Sequence, residues 1–202
     1  MSLVITLGRQ NGSGGREIGF RLARELDLTF YDNNLLSLTA ERTNFDVNYV
    51  KERSEQAPRL WAAFVQSTPL GPLGQTPLPD SIFEAQAETI KEVAKIGNCL
   101  IVGRASDYIL RNTKAVHIFV YAPIEARVAR KLSLLPEGTK VTPEEMRRNI
   151  EKADRARASF YSYFTGQEWG VGERFDLNLN TGKIGVEGAV KVIKDYLSEI
   201  KE

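Results

Sequence analysis

A glycine-rich stretch near the start of the chain carries the residues best suited to chemistry. Residues 8–16 read Gly-Arg-Gln-Asn-Gly-Ser-Gly-Gly-Arg, and an apolar, β-branched run at 3–7 precedes them. Apolar residues at helical spacing follow, at Ile18, Leu22 and Leu26. Glycine lets the backbone take positive φ and approach an anion closely. A strand, a glycine-rich turn and a helix in this order direct backbone N–H groups toward phosphate. The stretch therefore predicts a phosphate-binding loop.

The loop departs from the usual phosphate-loop pattern, G-x-x-x-x-G-K-[ST]. When the second glycine of that pattern is set on Gly14, Arg9 stands at the first glycine and Gly15 at the lysine. That lysine normally reaches the β- and γ-phosphates of the nucleotide. The nearest cation is Arg16, which Glu17 follows. A glycine-rich connection without a ligand is the other interpretation of this stretch.

Charged residues also follow two further apolar runs. Asp32 ends the run 28–32, where it could face a ligand at the carboxyl end of a strand or cap the next helix. Arg104 and Asp107 follow the buried-strand pattern at 99–102. The planar fork of an arginine suits phosphate, and a salt bridge between Arg104 and Asp107 is the alternative.

Two successive predicted helices carry arginines. The first, at 124–134, has Arg127 and Arg130 three residues apart, so these side chains share a face. The second begins at Thr142 with a proline in its first turn, and it includes Arg157. Such like charges indicate either a bound anion or a solvated helix face with acidic neighbours.

Composition limits the classes of protein that remain. With 202 residues, of which 42% are apolar, the chain can form one domain with a full core. A net charge of +1 gives no overall field that would attract nucleic acid or an anionic membrane. The single cysteine, Cys99, and the single histidine, His117, lie in apolar runs and are predicted core residues. No signal peptide and no run of 18 apolar residues is evident, so a cytoplasmic protein is expected.

Apolar runs alternate with helical patterns along the whole chain. Predicted strands lie at 3–7, 28–32, 99–102, 116–121 and 175–181. This alternation predicts an α/β fold with a five-stranded parallel sheet and right-handed crossovers. Further helices are predicted at 40–58, at 81–96 with Ser81 as N-cap and Gly97 after its end, and at 186–200. The proline-containing segment 58–79 is predicted to be a flap or lid.

With these motifs placed, the chain resembles the nucleoside monophosphate kinases, in particular the cytidylate kinase-like group of P-loop proteins. The loop 8–16 resembles the phosphate loop of that group, 102–108 its monophosphate site and 152–157 its lid. The chain differs from a true cytidylate kinase at Gly15, where the group has its lysine, and at Glu17, where it has a threonine. Two residues also separate Arg104 from Asp107, which are adjacent in the group.

The resemblance implies a three-layer P-loop NTPase fold with helices on both faces of the sheet and a helical lid. It implies one domain over 1–202, with a core at 1–39, 81–125 and 172–202, an acceptor-side flap at 40–80 and a lid region at 126–171. The expected activity is ATP-dependent phosphoryl transfer to a small acceptor, a nucleoside monophosphate similar to cytidylate. ATP and Mg²⁺ are the expected cofactors and small-molecule nucleotides the substrates, with neither nucleic acid nor membrane as partner.

Phosphoryl transfer depends on positioning and on charge neutralisation, and these needs give the expected roles of the residues. Backbone amides that cradle the donor phosphate come from Gly12, Ser13, Gly14, Gly15 and Arg16. Cations that act on the transferred group are Arg16, in place of the lysine, and Arg127, Arg130 and Arg157. Residues that bind the acceptor are Asp32, Arg104 and Asp107. Carboxylates that could hold Mg²⁺ through water are Glu17 and Asp32.

Two other functions remain open at this point. A nucleotide-binding regulator without turnover would explain Gly15 at the lysine position. A kinase for a non-nucleotide acceptor would need no phosphate partner for Arg104. The base, the acceptor and the oligomeric state are not defined by the sequence.

Overall fold

A parallel sheet forms the centre of the molecule. The computed structural model describes residues 3–32 and 78–200. The strands in these residues are β1 (Val4–Arg9), β2 (Thr29–Tyr31), β3 (Cys99–Val102), β4 (Val116–Tyr121) and β5 (Leu177–Asn180). They pair in the order β2-β3-β1-β4-β5, and every pairing is parallel. β1 is therefore the middle strand, so the loop that follows it lies at the centre of the carboxyl edge of the sheet.

Helices connect the strands. They are α1 (Gly15–Glu25), α2 (Leu78–Ile96), α3 (Ser106–Ile109), α4 (Ile124–Ser133), α5 (Pro143–Thr165) and α6 (Thr181–Glu199). A single 3₁₀ turn at Gly172–Arg174 precedes β5 in the described part of the chain. The predicted α/β class and the five parallel strands are confirmed.

The sheet is covered on both faces. Because side chains alternate along a strand, β3 contributes to two separate cores: Leu100 and Val102 pack with α1 and α6, and Cys99 and Ile101 pack with α2 and α3. The arrangement is the predicted three-layer one. Burial raises the pKa of the Cys99 thiol to about 11, as expected for a core cysteine. His117 is only half-buried, and its Nδ1 lies 2.7 Å from the Thr6 hydroxyl.

Two helices begin earlier than predicted. α2 starts at Leu78, so Ser81 lies inside its first turn and is not the N-cap. Its end agrees with the prediction, because Gly97 has a φ of +79° and donates its N–H to the Val93 carbonyl. α6 starts at Thr181, where the Asn180 side chain accepts a hydrogen bond from the Gly182 N–H. A non-helical Gly185 then bends α6 one residue before the predicted start at 186.

Part of the predicted organisation falls beyond the described residues. The predicted helix at 40–58 lies outside them, as does the predicted flap at 58–79 apart from its last two residues, which belong to α2. Within the described ranges, no helix combines the length and the apolar character that crossing a membrane requires.

The N-terminus of α5 is fixed by a reciprocal pair of hydrogen bonds. The Thr142 hydroxyl accepts from the Glu145 N–H at 3.2 Å, and the Glu145 carboxylate accepts from the Thr142 N–H at 2.9 Å. This capping box satisfies two N–H groups that a helix end would otherwise leave open. It also fixes where the helix that carries Asp154 and Arg157 begins.

We expect Thr142→Ala to lower the free energy of unfolding by about 1 kcal/mol, since the variant loses the side-chain acceptor of this cap. Chemical denaturation measures the change. Thr139→Ala is the matched control, because Thr139 lies in the preceding turn and its hydroxyl has no hydrogen bond to any described residue. Equal losses in the two variants would contradict the capping role.

Candidate active site

The loop between β1 and α1 presents open N–H groups. Gly12 and Gly14 have φ angles of +83° and +85°. Gly14 caps α1 without a side-chain hydrogen bond. The N–H groups of Gly12, Gly14 and Gly15 donate to no acceptor among residues 3–32 and 78–200. Open amides at the start of a helix are suited to an anion such as phosphate. The loop is thus not collapsed onto protein carbonyls.

Other groups of the loop are used to hold its shape. The Ser13 hydroxyl donates to the Gln10 carbonyl at 2.8 Å, and the Ser13 N–H approaches the same carbonyl at 3.3 Å. The Thr181 hydroxyl donates to the Ser13 carbonyl at 2.7 Å. The Asn11 N–H donates to Asp154 Oδ1 of α5 at 2.7 Å. Of the predicted phosphate-binding residues, Ser13 therefore has its polar groups turned toward protein.

Two of the predicted catalytic arginines pack against the loop. Arg127 is buried, and its Nη1 donates to Asp154 Oδ2 at 2.5 Å and to the Asn11 carbonyl at 3.2 Å. Arg130 donates from Nη2 to Glu17 Oε2 at 2.5 Å. Neither lines the large cavity described next. In this structure both side chains of α4 hold the loop and the start of α1.

A cavity of about 820 Å³ opens beside the loop, where β1 and β3 end and α5 passes over them. This volume suits a small organic ligand. Its cationic lining comes from Arg9, Arg16, Arg104 and Arg157, together with Lys152 and Arg155. Its aromatic lining comes from Phe160, Tyr161, Trp169 and Phe175. All three residues predicted to bind the acceptor, Asp32, Arg104 and Asp107, line this one cavity.

The backbone that presents Arg104 is strained. Gly103, Arg104 and Ala105 have φ angles of +76°, +61° and +53°. Non-glycine residues rarely adopt this left-handed region, and strain of this kind is concentrated at binding and catalytic sites. The turn ends when the Ser106 N–H donates to the Gly103 carbonyl at 3.1 Å. It places Arg104 in the cavity wall directly after β3.

Asp107 is a buried acid in the same cavity. Tyr161 of α5 donates its hydroxyl to Asp107 Oδ2 at 2.6 Å. Burial raises the pKa of Asp107, although the Tyr161 hydrogen bond acts in the opposite direction. Burial also raises the pKa of Tyr161, so the hydroxyl keeps its proton and remains the donor. The pair ties α5 to the turn after β3.

Arg16 does not lie over the loop. Its Nε donates to Asp32 Oδ2 at 2.6 Å, and 72% of its side chain is exposed. The ion pair with Asp32 is the alternative to the predicted role of Arg16 as the cation of the phosphate loop. Asp32 in turn lies 3.8 Å from Arg9. The structure thus joins Arg16 to the end of β2.

Arg9 is a site residue that the sequence analysis does not assign. It ends β1, and its side chain, 22% exposed, points into the cavity wall. Burial, together with the positive charges of Arg157 and Arg104, lowers the pKa of its guanidinium to about 9, against the opposing effect of Asp32. One sequence signal could have identified it, since Arg9 is the only cation of the loop apart from Arg16.

Neither predicted carboxylate is arranged to bind a metal directly. Both oxygens of Glu17 accept from arginines, Oε1 from Arg21 and Oε2 from Arg130. Asp32 accepts from Arg16. The described ranges contain no group of three or more His, Cys, Asp or Glu residues that could hold a metal ion. Among the described residues, the two predicted carboxylates suit Mg²⁺ as an ion that arrives with a nucleotide and keeps most of its water.

Comparisons with known proteins agree with the predicted resemblance. The family model described as the cytidylate kinase-like family matches residues 4–183. A comparison with curated proteins found no match.

Several solved structures share the fold. An uncharacterized protein from Eubacterium ventriosum ATCC 27560 has a TM-score of 0.73 and 21% identity, over 99% of this chain and 100% of that chain. Shikimate kinase from Bacteroides thetaiotaomicron has a TM-score of 0.57 and 19% identity, over 98% and 99% of the two chains. Shikimate kinase from Aquifex aeolicus has a TM-score of 0.52 and 17% identity, over 97% and 96%. At these identities the likeness shows the fold alone, which this chain shares with the two shikimate kinases.

We expect Gly15→Ala to lower the free energy of unfolding by about 1–3 kcal/mol, the usual cost of overpacking. A Cβ at this position would lie 2.5 Å from Arg9 Cβ and 2.8 Å from Val120 Cγ2. Chemical denaturation measures the loss. Gly172→Ala is the control, since the nearest atom to its added Cβ is 3.7 Å away. A loss at Gly15 no larger than the loss at Gly172 would show that the loop yields easily.

We expect Asp107→Asn to gain stability relative to the parent as the pH rises. Because burial raises the folded-state pKa of Asp107, the parent loses stability as the pH rises from the unfolded pKa of about 3.9 through the folded value. Asparagine does not ionise, so the variant lacks this loss. Unfolding free energies at about pH 4, pH 5.5 and pH 7 measure the difference, with exposed Asp195→Asn as control. A difference that does not change with pH would refute the explanation.

Proposed function

Because the chain belongs to the cytidylate kinase-like family, we propose that it transfers a phosphoryl group from ATP to a small acceptor, a nucleoside monophosphate. The observation that carries this proposal is the adjacency of two sites. A loop with open amides stands at the end of β1, and a cavity with both arginines and aromatic rings lies beside it.

The loop is the proposed donor site. The amides of Gly12, Gly14 and Gly15 have no acceptor among the described residues, and the start of α1 adds its partial positive charge. Phosphate oxygens of a nucleotide would satisfy these donors. Mg²⁺ bound to ATP would neutralise part of the phosphate charge.

The cavity is the proposed acceptor site. Arg104 and Arg157 are suited to bind the phosphate of a monophosphate, because guanidinium groups bind phosphate oxygens with two N–H donors at once. Phe160 and Trp169 offer ring faces on which a base could stack. Asp107 offers a carboxylate oxygen to a polar edge of the acceptor. A ligand that combines phosphate with a flat ring uses all of these groups.

The catalytic contribution of the protein would be positioning and charge neutralisation, since phosphoryl transfer needs little covalent chemistry from an enzyme. Arg157 lies on α5, and its Nη1 donates to the Arg9 carbonyl at 3.1 Å. This places the charge of α5 next to the end of β1. Arg127 and Arg130 would act through the loop, by fixing the amides that bind the donor.

A thermal-shift screen with ATP, GTP and the common nucleoside monophosphates tests the proposal. A ligand at 100 times its Kd stabilises a protein by about 2.7 kcal/mol. We expect shifts with Mg·ATP and with at least one monophosphate, and ADP release when both are present. Binding without ADP release would favour the nucleotide-binding regulator. Gly15 at the lysine position is the sequence feature that supports this alternative. ADP release only with an unphosphorylated acceptor would favour a different small-molecule kinase.

We expect Arg104→Gln to raise the KM of the monophosphate by about 10- to 100-fold, because a hydrogen bond to a charged group contributes about 1.5–3 kcal/mol. The KM of ATP should stay within a few-fold of the parent value. Steady-state ADP release measures both constants. Arg24→Gln, an exposed arginine on α1, serves as the control. An unchanged acceptor KM would mean that Arg104 does not bind the acceptor phosphate.

A further inference from the structure

We propose that Arg9 supplies the cation that a lysine supplies in the usual phosphate loop, and that its guanidinium contacts the phosphoryl group that passes from donor to acceptor. This inference rests on the proposed function and names the catalytic cation of that site. It moves the role from Arg16, the residue that the sequence analysis assigns, to the end of β1.

The stem of Arg9 fills the position that a side chain at residue 15 would take. An added Cβ on Gly15 would lie 2.5 Å from Arg9 Cβ and 2.9 Å from Arg9 Cγ. No two such carbons can stand this close. Any side chain at position 15, a lysine included, would therefore require the stem of Arg9 to move, and in this structure the cation that occupies that space is Arg9.

The guanidinium of Arg9 lies at the carboxyl edge of the sheet. It lies against Gly103, where an added Cβ would overlap Nη1. Its Nη2 lies 3.8 Å from Asp32 Oδ1. Asp32 follows β2 and Gly103 follows β3, so the guanidinium lies at the carboxyl edge of the sheet, where Arg9 also lines the acceptor cavity. The loop follows β1 at the same edge, so a phosphoryl group that moves from the loop to the cavity would pass close to this guanidinium.

The charges around Arg9 favour an anion beside it. Arg157 and Arg104 are close enough to lower the pKa of Arg9, and burial lowers it most. A phosphate group would offset the cost of burial, because its oxygens replace the hydrogen bonds of lost water. It would also offset the repulsion among the three arginines, because its negative charge would lie between them. Asp32 gives only partial compensation, since its Oδ2 already accepts from Arg16 at 2.6 Å and its Oδ1 is 3.8 Å from Arg9.

Arg16 is less suited to the role. Its side chain is 72% exposed and is held by Asp32. Exposed charges are screened by water and salt, so they neutralise a transition state weakly. Arg16 would serve instead to hold Asp32 in place beside Arg9.

The test compares Arg9→Met and Arg9→Lys with the control Arg24→Met, all in the full chain. Steady-state ADP release with Mg·ATP and the acceptor found in the screen gives kcat and both KM values. Circular dichroism confirms that each variant is folded. We expect Arg9→Met to lower kcat about 10²–10³-fold, with both KM values within about tenfold of the parent. Arg9→Lys should keep more activity, because it retains the charge without the fork.

A purely structural Arg9 would give a different result. If Arg9 only pairs with Asp32, Arg9→Met would lower the melting temperature and leave kcat within a few-fold of the parent, which overturns the proposal. If Arg9→Met does not fold, the neutral variant Arg9→Gln decides in the same way: a kcat lowered at least tenfold with both KM values within about tenfold of the parent supports the role, and a kcat within a few-fold of the parent overturns it.

The outcome for Arg9 can be separated from the outcome for the proposed function. A parent protein that shows no turnover with any acceptor defeats the proposed activity. In that case, calorimetric titration with inorganic tripolyphosphate alone measures the affinity of each variant for phosphate. Affinity that falls at least tenfold in Arg9→Met, and not in Arg24→Met, supports phosphate binding by Arg9. Equal affinities of Arg9→Met and Arg24→Met for tripolyphosphate would overturn the proposal that Arg9 binds phosphate.

Discussion

The path of the Arg9 side chain depends on glycine at two distant positions. A Cβ on Gly15 would overlap its stem, and a Cβ on Gly103 would overlap its guanidinium. Gly15 begins α1 and Gly103 directly follows β3, so both the loop and the neighbouring strand end leave space for one arginine. β3 is the neighbour of β1 in the sheet, so Gly15 and Gly103 both lie beside the Arg9 side chain. The order of the strands therefore determines which groups the Arg9 side chain contacts.

Asp154 joins the elements around that cation. Its carboxylate accepts from the Asn11 N–H of the loop and from Arg127 of α4, and it lies 3.5 Å from Arg157 Nη1 on its own helix. The Asp154 carboxylate thus contacts two arginines that lie in different surroundings. Arg127 holds the loop, whereas Arg157 continues into the cavity wall. Removing the carboxylate would leave a buried arginine without its counter-charge, a change that is usually strongly destabilising.

The architecture could be predicted because its signals are local. Continuous apolar runs predict β3 and β4 with the bounds that the structure shows, and the glycine-rich stretch predicts the loop after β1. The composition of the loop marks Arg9 as one of its two cations, but it does not show where the side chain lies, because that depends on space left by Gly15 and Gly103, which only the folded sheet brings together. The spacing of Arg127 and Arg130 showed that they share a face of α4. Spacing alone could not show that this face meets the loop rather than the cavity.

Gly15 at the lysine position is the feature that favours an inactive nucleotide-binding regulator, and the geometry of Arg9 argues against that interpretation. In this loop the stem of another cation, Arg9, fills the space that a side chain at residue 15 would take. Electrostatic stabilisation depends on where a charge stands and how well it is desolvated, not on which residue supplies it. The side chain of Arg9 lines the cavity and is only 22% exposed, and for this reason we favour a kinase over an inactive nucleotide-binding regulator.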